Sequence, residues 1–503
     1  MTLTKKSALI ILILIIGFIV VRLASIFSIP FFNDEADYIY FALQAMTQKG
    51  MGFISLSQGV KPMHTWLMIP FLMLIKDPVL GARLLSLVTG LISMLGLCLL
   101  TTELFGKKQI GILSVIIFIF FPYAQIYNSL AVLESTVAVF ILFSIYFLIR
   151  LIKNPTLVGA YTYGIITGLG LLTKRQAFFN VYLIPLFFVL LPVKIKANSK
   201  LLKLVALLVF GVGIALCLQL ILRNSEFYER IAWFEGGNIY TKKAWILIPA
   251  LERLSIFQTN LTNTATFTLS YFTLPFIFLL SYGLLTTKKY VKEMMILFSF
   301  FILPILTICI FGRWVGERWL YPTSLPTIPI IALGLYTLAT NFSKRKFLEF
   351  TRVQRKLLIY ALFLLYPSFV IASIIISPLN STLTANEKAQ YFMCPTTYME
   401  KDIYYLKVLA KNEKVLVGTQ NELGLVNVLK ILLKDDKNIT IKGYYPEKNK
   451  LPKELSASSS AKVFYATYLG PNDGIKDKQA RLVSQVKSPT SPCTYRFYEL
   501  TNH

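Results

Sequence analysis

Charge is scarce in this sequence. Only 15% of its 503 residues are Asp, Glu, Lys or Arg, and 55% are hydrophobic. So apolar a composition argues against a soluble domain. The repeated apolar runs, many near the ~20-residue length of a crossing, indicate a polytopic α-helical membrane protein. Acidic residues are the scarcer sign, 25 against 51 basic ones, for a net charge of +26. In a soluble chain that surplus would suggest nucleic acid. Here no recognition motif accompanies it, and most of it lies in short segments between apolar runs, so we read no nucleic-acid partner. No Cys/His pattern has zinc-ligand spacing. The stretch "VLVGTQNELG" lacks the glycines of a dinucleotide fingerprint. No small-residue cleavage site follows the first apolar run, which reads as a retained anchor with Lys5 and Lys6 in the cytoplasm.

Eleven spans are expected, at about 7–29, 78–104, 110–122, 135–152, 156–172, 177–193, 204–222, 266–285, 294–311, 320–340 and 357–377. The apolar stretch 62–75 is too short to cross and suits an interfacial or re-entrant helix. Nineteen cations fall in six short segments on the side of the N-terminus, ending with Lys344, Arg345, Lys346, Arg352, Arg355 and Lys356. The longer outer loops hold about twelve. This bias puts the protein in the plasma membrane with its N-terminus cytoplasmic and its C-terminus outside. After residue 377 the apolar runs shorten. "YMEKDIYYLKVLA" and "NELGLVNVLKILLK" read as helices. "EKVLVGT", "NITIKGYY", "AKVFYATYL" and "TYRFYEL" read as strands. We therefore expect a transmembrane domain over 1–377 and a small extracytoplasmic α/β domain over 378–503. Cys98, Cys217 and Cys309 lie in spans and are expected as buried apolar residues. Cys394 and Cys493, near the ends of the outer domain, can pair in an oxidising compartment.

The polar residues within the apolar frame gather on one side. Asp34, Glu35 and Asp37 open the first outer loop, in "FFNDEADYIYF", and "VKPMHTW" closes it with Lys61 and His64. Glu134, Lys174 with Arg175, and Arg313, Glu317 and Arg318 reach the same face. A lone interfacial Lys or Arg is ordinarily a snorkelling charge. Arg22, deep in the first run, is expected near the outer interface, to snorkel or meet an acid. Carboxylates snorkel poorly and usually face a cavity. Acids from separate loops beside several cations describe a catalytic base next to a pocket for an anionic group. With an apolar body to admit a lipid chain, that suggests group transfer from a lipid phosphate at the membrane surface.

The order of these elements resembles the GT-C glycosyltransferases, in their protein-mannosyltransferase and aminoarabinose-transferase-like branch. The matching elements are "DEADY", "KPMHTW", "GARLLSLVTG", "LFGKKQIGILSVIIFIFFP", "GIITGLGLLTK" and "RWLYPTSLP", together covering about residues 1–340. The resemblance implies a GT-C fold and a polyprenyl-phosphate sugar donor. It implies inverting transfer to a protein, lipid or surface-glycan acceptor among membrane lipids, with no cofactor. It makes Asp34 the base, Glu35 a residue that orients it or binds sugar, and Glu134 the second acid. Lys61 and Arg318 would bind the lipid phosphate, with Lys174 beside them, and Tyr38 would hydrogen-bond donor or acceptor. Asp37 lies outside the pattern and is expected as a solvated or capping acid. Trp319 stands where tyrosine is usual, and Val60 where a metal-binding acid sometimes precedes the Lys-Pro pair. No metal is assigned, and a divalent cation on His64 and the acids is the alternative.

Other readings have discriminating features. An oligosaccharyltransferase would carry a "WWDYG"-like element, absent here. An O-antigen ligase or polymerase would share the cationic pocket but need no Asp-Glu pair. A lipid-linked sugar flippase or transporter would place charges mid-span or show an internal repeat.

Overall fold

The computed structural model describes residues 5–29, 31, 33–190, 198–228, 249–311, 315–344, 351–376, 399–420, 425–444, 450–455, 461–469, 475, 477, 479–487 and 494–500. Its first helices are α1 (Lys5–Ser28), α2 (Asn33–Thr47), α3 (Met63–Leu74), α4 (Pro78–Phe105), α5 (Lys108–Ile119), α6 (Pro122–Tyr127), α7 (Leu133–Lys153) and α8 (Leu157–Leu171). There follow α9 (Phe179–Tyr182), α10 (Ile184–Leu190), α11 (Asn198–Leu220), α12 (Ala250–Thr286), α13 (Val291–Phe311), α14 (Glu317–Ser324), α15 (Ile328–Lys344) and α16 (Arg352–Ile376). The C-terminal part holds α17 (Glu400–Leu409), α18 (Leu425–Leu432) and strands β1 (Val415–Gln420), β2 (Ile439–Tyr444), β3 (Lys462–Leu469), β4 (Ala480–Lys487) and β5 (Thr494–Leu500).

Among the described residues, eight helical stretches are long and apolar enough to cross a membrane. The chain is an integral, polytopic α-helical membrane protein with a small strand-containing C-terminal domain. Eleven such stretches were expected, and three fall short for physical reasons. At 1.5 Å per residue, the 12 residues of α5 and the 15 of α8 reach about 18 and 22 Å, against a ~30 Å hydrocarbon core. The run 177–193 is broken at Leu183, and Pro185 has no N–H to carry a helix through. One span is longer than expected. α12 runs 37 residues and kinks at Thr273, a β-branched residue held at φ 58, two positions before Pro275. The kink lays Tyr271 flat on Tyr123 of α6, ring centroids 4.0 Å apart.

Close packing explains the glycines of "GIITGLG". A Cβ on Gly164 would sit 2.4 Å from the Gly211 carbonyl oxygen, and one on Gly168 3.1 Å from Ala215 Cα. Two small-xxx-small stripes thus let α8 and α11 meet backbone to backbone, the contact that replaces the hydrophobic effect inside a membrane. Arg22 is fully buried and neither snorkels nor meets an acid. Its guanidinium donates to the carbonyls of Ile119 (3.0 Å) and Phe118 (3.2 Å) and to the Gln125 amide oxygen. It adds donors to the last two carbonyls of α5, where a helix end leaves acceptors short of intrahelical partners. Cys309 is buried as expected, but Cys217 is exposed on α11, because a lipid-facing apolar residue needs no protein cover.

The five strands form one sheet in the order β2-β1-β3-β5-β4. β2, β1 and β3 are parallel, and β5 runs antiparallel between β3 and β4. Alternation along β1 points Val415 and Val417 into the core shared with the helices, and Leu416 into a second cluster with Leu455, Val463, Tyr465 and Tyr498. β4 was not expected from the sequence. It is an exposed edge strand with a bulge between Leu482 and Ser484, so burial imposes no alternating pattern on it. Cys394 and Cys493 lie outside the described residues.

The α8–α11 contact yields a prediction. Gly164→Val drives a branched side chain into the Gly211 carbonyl and should lower the detergent melting temperature by several degrees, whereas Gly213→Ala, which meets no atom within 4 Å, should not. Equal melting of the two variants would count against the crossing.

Candidate active site

α2 begins within a few residues of the end of α1 and is too short to span, so its first turn lies at a mouth of the bundle. Consecutive helical residues point about 100° apart. Asp34 and Glu35 therefore cannot share a partner, and they do not. Glu35 turns inward and is fully buried. Arg83 of α4 grips it bidentately, Nε to Oε1 at 2.8 Å and Nη2 to Oε2 at 2.7 Å. The Ala131 N–H donates to Oε1 at 2.7 Å, and Arg83 Nη1 spends its remaining donors on the carbonyls of Ile26 (2.7 Å) and Ile29 (2.8 Å). This cluster ties α1, α2, α4 and the α6–α7 turn together.

Asp34 faces the other way and pairs with Arg318 on the first turn of α14. Arg318 Nε also lies 3.4 Å from Glu134 Oε1, which accepts from Lys174 Nζ at 2.7 Å. Four residues from α2, α7, the turn after α8, and α14 thus form one chain of charge, two acids and two bases. Exposure separates their capabilities. The Asp34 and Arg318 side chains keep 21% and 30% of their surface, and Glu134 keeps none. A substrate can touch the first two, while Glu134 holds the cations from behind.

Aromatic and amide contacts fix the cations. Lys174 Nζ stands 5.4 Å from the Trp319 ring centroid, and Gln176 Nε2 donates to the Trp319 carbonyl at 2.6 Å. Burial pulls the Lys174 ammonium down from its ordinary range, against the attraction of Glu134. Lys61 is also buried. Its ammonium lies 5.6 Å from the Phe178 ring centroid and, with the Gln219 amide turned to donate to the Leu171 carbonyl, 2.9 Å from the Gln219 oxygen. Tyr38, one turn past Asp34, is buried edge-on to His64 at 5.5 Å, and burial pushes its hydroxyl well up, so it remains a proton-bearing donor. His64 is buried with Nδ1 2.8 Å from Thr136 Oγ1, and burial pulls it down to about 4, neutral at ordinary pH. Among the described residues no three His, Cys, Asp or Glu side chains converge as a metal site would need. Arg313 and the side chain of Glu317 lie outside the described residues.

Asp37 is neither solvated nor a cap. It is half-buried and accepts from Asn427 Nδ2 of α18 at 2.7 Å. Burial pushes its carboxyl up to about 7, against the pull of that hydrogen bond and aided by Asp34.

The site lies within a recognisable architecture. Residues 59–220 match the family model described as dolichyl-phosphate-mannose-protein mannosyltransferase. That stretch contains Lys61, Glu134 and Lys174, but neither Asp34 nor Arg318. A search of curated proteins found no match. Among solved structures, the apo crystal structure of ArnT from Cupriavidus metallidurans superimposes with a TM-score of 0.64 at 11% identity, over 98% of each chain. The same protein bound to undecaprenyl phosphate gives 0.56 at 10% identity, over 97% of each. The chain has the GT-C glycosyltransferase fold. In that fold the sequence elements expected at residues 34, 134, 174 and 318 meet at one point, while Arg83 and Asn427 enter as partners given no role from the sequence.

Two outcomes follow. Glu35→Gln strands the Arg83 charge in the core and should destabilise the protein by about 3–5 kcal/mol, seen as a lowered melting temperature, whereas Asp34→Asn at the open end should melt near wild type. The second concerns pH. The Asp37 carboxyl titrates near 7 when folded, against an ordinary value of 3.8. The folded state therefore holds an extra proton between those values, and wild type loses stability relative to Asp37→Asn as pH rises through that window. The melting-temperature difference between the two should favour the variant more at pH 8 than at pH 5, and a constant difference would refute the assignment.

Proposed function

We propose that this protein is an inverting glycosyltransferase that moves a sugar from a polyprenyl-phosphate donor to an acceptor hydroxyl on a protein, lipid or surface glycan. The observation that carries the reading is the half-open Asp34–Arg318 pair backed by buried Glu134 and its half-buried partner Lys174. In it a carboxylate base and a cationic cradle for phosphate occupy the same few ångströms. The undecaprenyl phosphate bound in ArnT, a protein of the same fold, is in keeping with a lipid-phosphate donor.

The reaction on this reading is one displacement. Asp34 takes the proton from the acceptor hydroxyl, and the acceptor oxygen bonds to the anomeric carbon. The bond from that carbon to the phosphate oxygen breaks with its electron pair, and the lipid phosphate leaves as an anion. Arg318, with Lys174 and Lys61, holds that anion and stabilises the charge that grows on it. In the free protein Arg318 is engaged by Asp34. An arriving phosphate competes for the guanidinium, and Asp34 is released towards the acceptor as the donor seats. Tyr38 keeps a donor hydroxyl beside both. Glu35, through Arg83, orients the helix that carries Asp34. The cation bias of the short loops orients the site and the C-terminal domain away from the cytoplasm.

Purified protein in nanodiscs, given polyprenyl-phosphate sugar and candidate acceptors, tests this by release of free polyprenyl phosphate. Asp34→Asn should cut turnover by about 10²–10⁴ with donor binding retained. Arg318→Ala should weaken donor use, and Arg318→Lys should recover it only in part, since a planar fork becomes a point charge. Wild-type rates in both Asp34→Asn and Arg318→Ala would sink the proposal.

A further inference from the structure

The C-terminal domain touches the helix that carries Asp34, and the contact has a pattern. α18 buries Leu425, Val428, Leu429 and Ile431 and packs on β1 and β2, which makes it a rigid edge of the sheet domain. Its half-buried residues Asn427 and Lys430, three apart and hence on one face, turn to α2. They meet Asp37 and Tyr40, also three apart. Asn427 Nδ2 donates to Asp37 Oδ1 at 2.7 Å, and Lys430 Nζ lies 3.4 Å from the Tyr40 hydroxyl and 4.7 Å from its ring centroid. Just past the end of α18, Lys434 Nζ donates to the Lys76 carbonyl at 3.0 Å, beyond the end of α3. The gripped stripe of α2 is the one that begins with Asp34, one turn before Asp37.

We propose that Asn427 and Lys430 are positioning residues of the active site, through which the C-terminal domain clamps α2 and holds Asp34 in register with Arg318. Two physical effects give the clamp its purpose. α2 does not span and is held on its inner side by the Glu35–Arg83 pair, so its outer stripe needs a second anchor to fix the helix's rotation and tilt. A base displaced by about 1 Å from its working geometry loses on the order of 10²-fold in rate. Asn427 also occupies Asp37. Left without that amide, a carboxylate one turn from Asp34 would compete for Arg318.

The inference rests on the proposed transfer for its kinetic readout, and amide exchange reads the clamp independently. In intact protein in nanodiscs, Asn427→Ala should lower kcat about 10–100-fold while the donor KM shifts far less. It should also speed hydrogen–deuterium exchange in the 33–47 segment. Asn427→Asp, which sets two acids face to face, should be worse on both counts. The exchanged pair Asp37→Asn/Asn427→Asp restores an amide–carboxylate bond and should recover both rate and protection. Lys430→Gln serves as the second probe should an Asn427 variant fold poorly. Unchanged exchange of 33–47 in Asn427→Ala and Lys430→Gln overturns the clamp. Faster exchange with unchanged kcat, or a swapped pair no better than Asn427→Asp, overturns the positioning role. Absence of transfer by wild type would fail the proposed function, and the exchange measurements would still decide the clamp.

Discussion

A carboxylate cannot be buried in an apolar bundle unless its charge is met, and the rest of this structure is arranged around that requirement at Glu35. Its bidentate pair with Arg83 is enclosed, and the guanidinium also donates to the carbonyls of Ile26 in α1 and Ile29 just past its end. Such a pair adds little net stability over an apolar one but is costly to break, so it specifies one arrangement of its surroundings. Here it specifies the rotation of α2. Once Glu35 is locked to α4, Asp34, about 100° round the helix, is turned towards α14.

The ion-pair chain at that end has a different character. Asp34 and Arg318 are half-open, and their attraction is weakened by water that Glu35 never meets. Glu134 and Lys174 behind them are enclosed enough to stay fixed. One half can therefore exchange partners while the other half stays in place. On the proposed reaction that division of labour is what a phosphate donor needs, because the anion must replace Asp34 on Arg318 without dismantling the cradle.

Much of this was legible in sequence because burying charge in a membrane is expensive. Asp34, Glu134, Lys174 and Arg318 stood out as polar residues at the same end of several apolar runs, and they meet. What sequence could not supply was pairing. "DE" gives two neighbouring acids with no sign that one is structural and the other accessible; only the helical period separates them. Arg83 carried a usable signal, since an arginine five residues into a span requires a partner. Asn427 carried none, being an ordinary amide 390 residues from Asp37. At α5 and α8 the apolar runs were themselves short, and their helices keep 12 and 15 residues, below the length of a full crossing.

The same logic accounts for a soluble-looking sheet on a membrane-protein fold. A helix lying at the mouth of a bundle gains no support from the bilayer on its outer side, and water offers none. α2 packs on α3, on the 3-10 turn over Met51–Gln58 and on α4, and the buried core extends past it into α17, α18 and one face of the sheet without interruption. The C-terminal domain, through α18, supplies one further wall of the α2 environment. A charged residue on an element so enclosed must be matched from both sides: Arg83 answers from the membrane side, and Asn427 and Lys430 from the domain side. The accessible gap left between them is where Asp34 and Arg318 lie.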